Sequence, residues 1–149
     1  KCSHIYEPLF QELIAEGLQI EPIFVSNLKN DEVRYIQAQA DIVVDMLTFG
    51  FFGANIREAL MLGKTCVCFL RPEWLDSMRE QIPDYVEELP VISATPETIK
   101  EVLIDLIQNP QKRINLGKKG REFALKWHSA QSGGKKMDEI YSSILKSST

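Results

Sequence analysis

Two glycines that stand just before a predicted helix are the residues of this sequence whose types and spacing suggest chemistry. Gly50 and Gly53 bracket a short loop, and the pattern that follows predicts a helix starting directly after Gly53. Backbone N–H groups at a helix start have no partner within the helix and carry a partial positive charge, which together suit a phosphate. Ala54 and Asn55 are therefore candidate phosphate donors, although joints of this type also occur where nothing binds.

The elements on either side of this loop form one predicted βαβ unit at residues 40–70. Residues 42–44 are a continuous apolar run, typical of a parallel strand that is covered on both faces, and the run stops at Asp45. The helix after the loop has an apolar face at helical spacing and ends at Gly63. Residues 65–70 are predicted to be the next buried strand. The glycine loop thus lies at the carboxyl end of a parallel strand.

The composition indicates one ordinary globular domain. The 149 residues suffice for a single core, and 44% hydrophobic with 26% charged residues excludes disorder. No apolar run approaches the roughly 20 residues that a membrane-spanning helix needs. A net charge of -4 argues against a nucleic-acid partner, which would favour a basic face.

Strands and helices alternate along the rest of the chain, which predicts an α/β fold with a doubly wound parallel sheet. In the predicted helix at 110–127, Gly117 and Gly120 are expected to be points of close packing, because glycine destabilises a helix interior. Besides the central unit, the predicted elements are helices at 4–16, 30–40, 96–108, 110–127 and 135–146, strands at 18–25 and 91–94, and a covering insertion with a short helix at 72–89.

The three cysteines cannot all pair with one another. Cys66 and Cys68 are one residue apart on a predicted strand, so both side chains point to the same face. A C-x-C pair without further Cys or His partners is a poor zinc signal. We therefore expect buried free thiols in a reducing, cytoplasmic compartment, and no metal.

Five linked segments give the chain a resemblance to a known family. ADIVVDML, GFFG and REALMLGK follow one another across the central unit, and LPVISATPETI and INLGKKGREFALKWHS follow at the expected distances. Together they resemble the C-terminal, donor-binding domain of GT-B glycosyltransferases of the group 1 type. The resemblance implies a Rossmann-like doubly wound sheet that binds a nucleotide sugar as substrate, with no separate cofactor and with retention as the usual outcome.

The same resemblance implies roles for individual residues. Glu58 stands where the family has a glutamate that contacts the donor ribose, and Gly53 with the N–H groups of Ala54 and Asn55 matches the pyrophosphate cradle. Gly50 replaces another glutamate that family members often carry, so a catalytic carboxylate is not expected at that place, and the catalytic residues stay unassigned. The remaining donor-binding positions implied by the match are Gly50, Phe51 and Phe52 in the loop and Lys1, which aligns with a phosphate-binding lysine.

The family's domain opens with a strand that has no counterpart before Lys1. The resemblance therefore implies a fragment that lacks its first strand and the N-terminal acceptor-binding domain, and we expect the isolated chain to fold without transferase activity. Two other functions stay open. One is a nucleotide-sugar epimerase half of the same fold group, which the ATPETI and LGKKGR segments disfavour. The other is a non-catalytic α/β binding module.

Three features also have simpler explanations than the resemblance offers. Glu58 could face solvent and pair with Arg57 or Lys64. His128 is expected to cap the last carbonyl groups of its helix rather than to do chemistry. The basic helix face is usually only a solvated surface, although it leaves peripheral attachment to a membrane open. Its residues are Lys112, Arg113, Lys118, Lys119 and Arg121.

Overall fold

The structure is a computed structural model that describes residues 3–147, and its fold is α/β. Three short strands lie among helices in the described part of the chain. In chain order the elements are α1 (Ser3–Ala15), α2 (Asn30–Gln39), β1 (Ile42–Val44), α3 (Ala54–Met61), β2 (Thr65–Cys68), α4 (Pro72–Gln81), α5 (Pro83–Glu88), β3 (Ile92–Ser93), α6 (Ile99–Gln108), α7 (Pro110–His128) and α8 (Ala130–Ser147).

The strands form one parallel sheet in the order β1-β2-β3. Val43 lies opposite Cys66 in the first pair, and Val67 lies opposite Ile92 in the second. β2 is the central strand, and all four of its residues are buried. The predicted βαβ unit is therefore confirmed, with α3 as the crossover between two parallel neighbours.

Helices cover both faces of this sheet. On one face, Cys66 and Cys68 of β2 pack with residues of α3, α5 and α7, and α4 contributes partly buried side chains. On the other face, Val67 packs with residues of α1 and α6. This alternation along β2 follows from the two-residue period of a strand, and it makes the molecule three layers thick.

The closest helix packing is between α3 and α7. A Cβ atom added at Gly117 would lie 2.1 Å from the backbone oxygen of Gly63, and one added at Gly120 would lie 2.8 Å from Leu60 Cδ2. The prediction that both α7 glycines are close-packing points is confirmed. Gly63 itself has a positive φ of 72° and ends α3, as its position in the sequence predicts.

The predicted strand at residues 18–25 is wrong, because the segment has no regular structure. Pro22 has no backbone N–H group to donate to a sheet, and no described strand pairs with the outer edge of β1. Leu18 and Ile20 instead pack against the α1 and α6 core, while Phe24 remains 50% exposed. Side-chain packing without backbone pairing thus holds this segment.

Several predicted boundaries also move. α8 begins at Ala130 rather than at 135, because the Ser129 hydroxyl accepts a hydrogen bond from the Ser132 backbone N–H at 3.1 Å and caps an earlier start. The insertion at 72–89 contains two helices, α4 and α5, each with a proline at its first turn. The predicted helix at 96–108 begins as a turn, with α6 proper starting at Ile99. None of the described helices is both long and apolar enough to cross a membrane.

Candidate functional site at the carboxyl end of β1

The loop between β1 and α3 is attached to the sheet by backbone hydrogen bonds. The Asp45 N–H donates to Val67 O at 2.9 Å, and the Arg71 N–H donates to Gly50 O at 2.7 Å. The Tyr6 hydroxyl also donates to Asp45 O, which ties the start of the loop to α1. The parallel pairing of β1 and β2 is thereby extended beyond the strand ends, and the loop has a defined position at the carboxyl edge of the sheet.

Gly50 is enclosed by its neighbours. Its φ is +100°, and an added Cβ atom would lie 2.9 Å from Arg71 Nε. The Arg71 guanidinium also donates from Nη2 to Phe49 O at 3.3 Å. Gly50 is therefore needed for the turn and for close packing against Arg71.

Gly53 differs from Gly50 because the space above it is empty. It precedes α3 as the N-cap residue with extended backbone, at φ -99° and ψ -160°. No atom of the described chain lies within 4 Å of an added Cβ atom there. Ala54, the first residue of α3, is exposed, and Asn55 is half-buried. The N-terminus of α3 is consequently open to an approaching anion.

The three phenylalanines of the loop fall into two groups. The Phe49 and Phe51 rings lie 4.5 Å apart between centroids and are 47% and 44% exposed. The Phe52 ring is buried and makes edge contacts with Trp74 and His128. Phe51 can therefore contact a ligand through its ring, whereas Phe52 can offer only its backbone.

Glu58 lies about one turn into α3 and is half-buried. The Asn30 side chain, at the start of α2, donates from Nδ2 to Glu58 Oε1 at 3.4 Å. Within residues 3–147 Glu58 forms no salt bridge with Arg57 or Lys64, the partners that a purely solvent-facing glutamate would have. Its second carboxylate oxygen has no bond to another described residue and can still accept a hydrogen bond.

A second contact between α2 and α3 was missed by sequence reasoning. Gln37 is buried, and its Nε2 donates to Asn55 Oδ1 at 2.7 Å and to Asn55 O at 3.3 Å. Gln37 lies in the sequence as one of several polar residues of an amphipathic helix, and nothing in its spacing identifies it as buried. The burial of Gln37 follows only from the packing of α2 against α3.

The sequence predicted that His128 caps the end of α7, but its side chain contacts Tyr85 instead. Its Nε2 lies 3.1 Å from the Tyr85 hydroxyl, and its ring packs against Phe52 and Phe123. Burial, with a smaller contribution from the Arg57 charge, lowers the pKa of His128. Burial likewise raises the pKa of Tyr85 to about 12. The pair therefore stays neutral at neutral pH, and it supports the buried side of the loop.

The thiols of β2 are buried and unpaired, as predicted. Burial, and then the nearby Asp45 carboxylate, raises the pKa of Cys68 to about 12, and burial also raises the pKa of Cys66. Neither thiol is thus a nucleophile at neutral pH. In the described chain no group of three or more His, Cys, Asp or Glu side chains is arranged to hold a metal ion. Lys1 and Cys2 lie outside the described residues.

The predicted basic face of α7 is partly engaged within the protein. Arg113 is half-buried and donates from Nη1 to the carbonyl oxygens of Leu106 and Ile107 in the last turn of α6. Lys112 forms an ion pair with Asp105 at 2.6 Å. Lys118 and Lys119 are exposed. Part of this face therefore stabilises α6 rather than facing solvent.

Two surface hollows lie apart from the glycine loop. One, of about 400 Å³, is lined by Leu28 and residues of α2. The other, of about 220 Å³, lies where β1 and β2 begin, at the edge of the sheet opposite the loop. Neither hollow is lined by Gly53 or Glu58.

Neither a family model, nor a curated protein, nor a solved structure matches this chain.

Proposed function

We propose that this chain is the donor-binding half of a GT-B glycosyltransferase, which transfers a sugar from a nucleoside diphosphate to an acceptor. In this proposal the three parallel strands belong to a Rossmann-like, doubly wound sheet. Two things support it: helices on both faces of the sheet, and the five sequence segments that resemble the family. The nucleotide sugar is the substrate, and no separate cofactor takes part.

One observation carries the proposal. The open N-terminus of α3, above Gly53, lies at the carboxyl end of β1, with the Glu58 carboxylate about one turn further along the same helix. Unpaired N–H groups there can hold the pyrophosphate, because they donate to its oxygens and because the helix dipole favours negative charge. A carboxylate one turn away can accept hydrogen bonds from ribose hydroxyls. In a nucleoside diphosphate the phosphates adjoin the ribose, so both contacts can belong to one ligand.

The proposal divides the reaction between two domains. This chain binds the donor, and a second domain holds the acceptor and completes the cleft in which transfer occurs. In this proposal neither Asp45 nor Glu58 acts as the catalytic base, which the second domain supplies. We therefore expect the chain alone to bind a nucleoside diphosphate without turnover. A cytoplasmic location follows from the cytoplasmic supply of nucleotide sugars.

Titration of the isotope-labelled chain with UDP, GDP and uridine, followed by NMR, tests the proposal. We expect one of the two diphosphates to shift the backbone amide signals of Gly53, Ala54 and Asn55, and uridine at equal concentration to shift them far less. Gly53→Val should abolish the shifts without unfolding the protein, because its backbone is extended and the added side chain would stand only in the open space. Equal responses to uridine and to the diphosphates, or none at α3, would overturn the proposed function.

A further inference from the structure

Gln37 is an unusual residue to find in the interior. Its side chain is only 5% exposed, whereas glutamine is normally a surface residue. Its Oε1 atom is buried and has no hydrogen-bond partner among the described residues. A buried acceptor without a partner destabilises the folded state, and an apolar side chain of the same size would avoid that cost. The stability of the core therefore gives no reason for a glutamine here.

The hydrogen bonds of Gln37 supply a reason. Its Nε2 group donates to the backbone oxygen of Asn55 and, at 2.7 Å, to the side-chain oxygen Oδ1. Both acceptors belong to one residue: the bond to the backbone oxygen anchors the Gln37 side chain against α3, and the bond to Oδ1 orients the Asn55 carboxamide. With Oδ1 turned toward Gln37, the Nδ2 group of Asn55 must lie on the other side of the carboxamide.

That Nδ2 group is free. It donates to no group of the described chain, and it is not among the buried atoms that lack a partner, so it reaches solvent. Asn55 is the second residue of α3, beside the N–H groups that have no acceptor within the helix. The orientation imposed by Gln37 thus adds a side-chain donor to the backbone donors at this helix N-terminus.

We propose that Gln37 is a positioning residue that holds Asn55 so that Asn55 Nδ2 donates a hydrogen bond to the phosphate of a bound nucleoside diphosphate. This inference rests on the proposed function. An unheld asparagine can rotate and present Oδ1 instead, and that oxygen repels phosphate oxygens. Gln37 removes this alternative before the ligand arrives, so the ordering of the Asn55 side chain is not subtracted from the binding free energy.

A double-mutant cycle on affinity tests the inference, with UDP, GDP and inorganic pyrophosphate as probes and the complete chain as protein. Gln37→Met removes the donor at nearly constant volume, and we expect it to weaken binding of the preferred probe about three- to tenfold, the usual range for one hydrogen bond. Asn55→Ala should weaken binding by a similar factor. Gln37→Met added to Asn55→Ala should have no further effect, since there is then no carboxamide to position.

Stability separates this role from a structural one. Gln37→Met should change the melting temperature little, because removing the unpartnered Oε1 offsets the loss of the two hydrogen bonds from Nε2. Gln39→Met is the matched control, since Gln39 lies on the same helix, is exposed, and donates only to Tyr35 O. It should change neither affinity nor stability. Asn55→Asp keeps an acceptor for Gln37 but removes the outward donor, and it should weaken binding more than Asn55→Ala.

The outcomes distinguish this inference from the proposed function. If the wild-type chain binds UDP or GDP and Gln37→Met binds equally well, only the positioning role of Gln37 is overturned. The same holds if the effects of Gln37→Met and Asn55→Ala on affinity add. If no probe binds the wild-type chain, the proposed function and the inference both fail.

Discussion

At the scale of single residues, Glu58 links the candidate site to a measurable affinity. If its carboxylate accepts hydrogen bonds from ribose hydroxyls, Glu58→Ala should weaken nucleoside diphosphate binding by ~1.5 to 3 kcal/mol, the range for hydrogen bonds to a charged group. Pyrophosphate binding should change little, because the backbone donors of α3 remain. Calorimetric titration of wild type and variant with UDP, GDP and pyrophosphate measures both effects.

Glu101→Ala provides the matched control for Glu58→Ala. Glu101 is an exposed glutamate of the first turn of α6, so its loss removes the same charge from a helix on the other face of the sheet. Unchanged diphosphate affinity in Glu58→Ala would contradict a ribose contact. An equal loss in both variants would point to net charge rather than to Glu58.

His128 should make the stability of the protein depend on pH. Its pKa is lowered in the folded state by burial and by the Arg57 charge, so protons bind the unfolded chain more readily. The contribution of neutral His128 to the free energy of unfolding is fully present above the unfolded histidine pKa of about 6.5. It is lost as the pH falls through the pKa of His128 in the folded state. We expect the melting temperature of the wild type to fall between about pH 7 and about pH 5, and to fall less steeply in His128→Gln.

The other histidine allows a comparison in the same background. His4 is exposed near the start of α1, and the chain contains two histidines in all. His4→Gln is the control, since it makes the same substitution at an exposed position. A slope that is unchanged in His128→Gln would show that burial and the Arg57 charge do not hold His128 in its neutral form.

At the scale of elements, the contact between α3 and α7 depends on a glycine that no other residue can replace. Gly117→Ala places a Cβ atom 2.1 Å from the Gly63 backbone oxygen, and that oxygen belongs to the turn that ends α3. Backbone cannot move aside as a flexible side chain can. We expect a loss of about 3 kcal/mol in the free energy of unfolding, measured by urea denaturation.

Gly133→Ala is the control for the α7 substitution, because it makes the same chemical change in open space. Gly133 lies within α8, and an added Cβ atom meets nothing within 4 Å. Alanine is the better helix former, so this variant should gain about 0.5 to 1 kcal/mol. A similar loss in both variants would mean that α7 does not pack closely on α3.

Sequence patterns were sufficient for those elements whose partners are close along the chain. β1, α3 and β2 follow one another, and their apolar runs and Gly63 identified all three. Residues 18–25 also have a strand-like apolar pattern, yet a strand needs a neighbour to pair with, and the pattern carries no information about that neighbour. The start of α8 was missed for a local reason, since the Ser129 cap outweighs the two glycines that follow.

In the candidate site, too, the residues that are close in sequence could be predicted and the contacts between distant residues could not. Gly53, Ala54, Asn55 and Glu58 could be identified from spacing and resemblance, because all four belong to one loop and the helix after it. The hydrogen bonds from Gln37 and from Asn30 could not, because they join α2 to α3 across 18 and 28 residues. The environment of His128 depends on Tyr85, 43 residues away. Contacts of this range are set by helix packing rather than by local periodicity.

At the scale of the whole molecule, β2 is the part of the sheet that every layer covers. All four of its residues are buried, and its two faces supply both hydrophobic cores. Cys66 and Cys68 therefore lie where solvent can reach only if the layers separate. Their raised pKa values further reduce the thiolate that reacts with alkylating reagents.

Thiol labelling should consequently report opening of the entire fold. In a Cys2→Ser background, which leaves only the two β2 thiols, we expect native labelling to be slow and to follow the free energy of unfolding. Gly133→Ala should slow labelling and Gly117→Ala should speed it, although neither residue touches a cysteine, because both change the stability of the whole. Labelling of the urea-unfolded chain gives the rate without protection. If Cys66 and Cys68 react at that rate under native conditions, or if the two glycine variants leave the rate unchanged, the sheet is not covered on both faces and the three-layer arrangement is wrong.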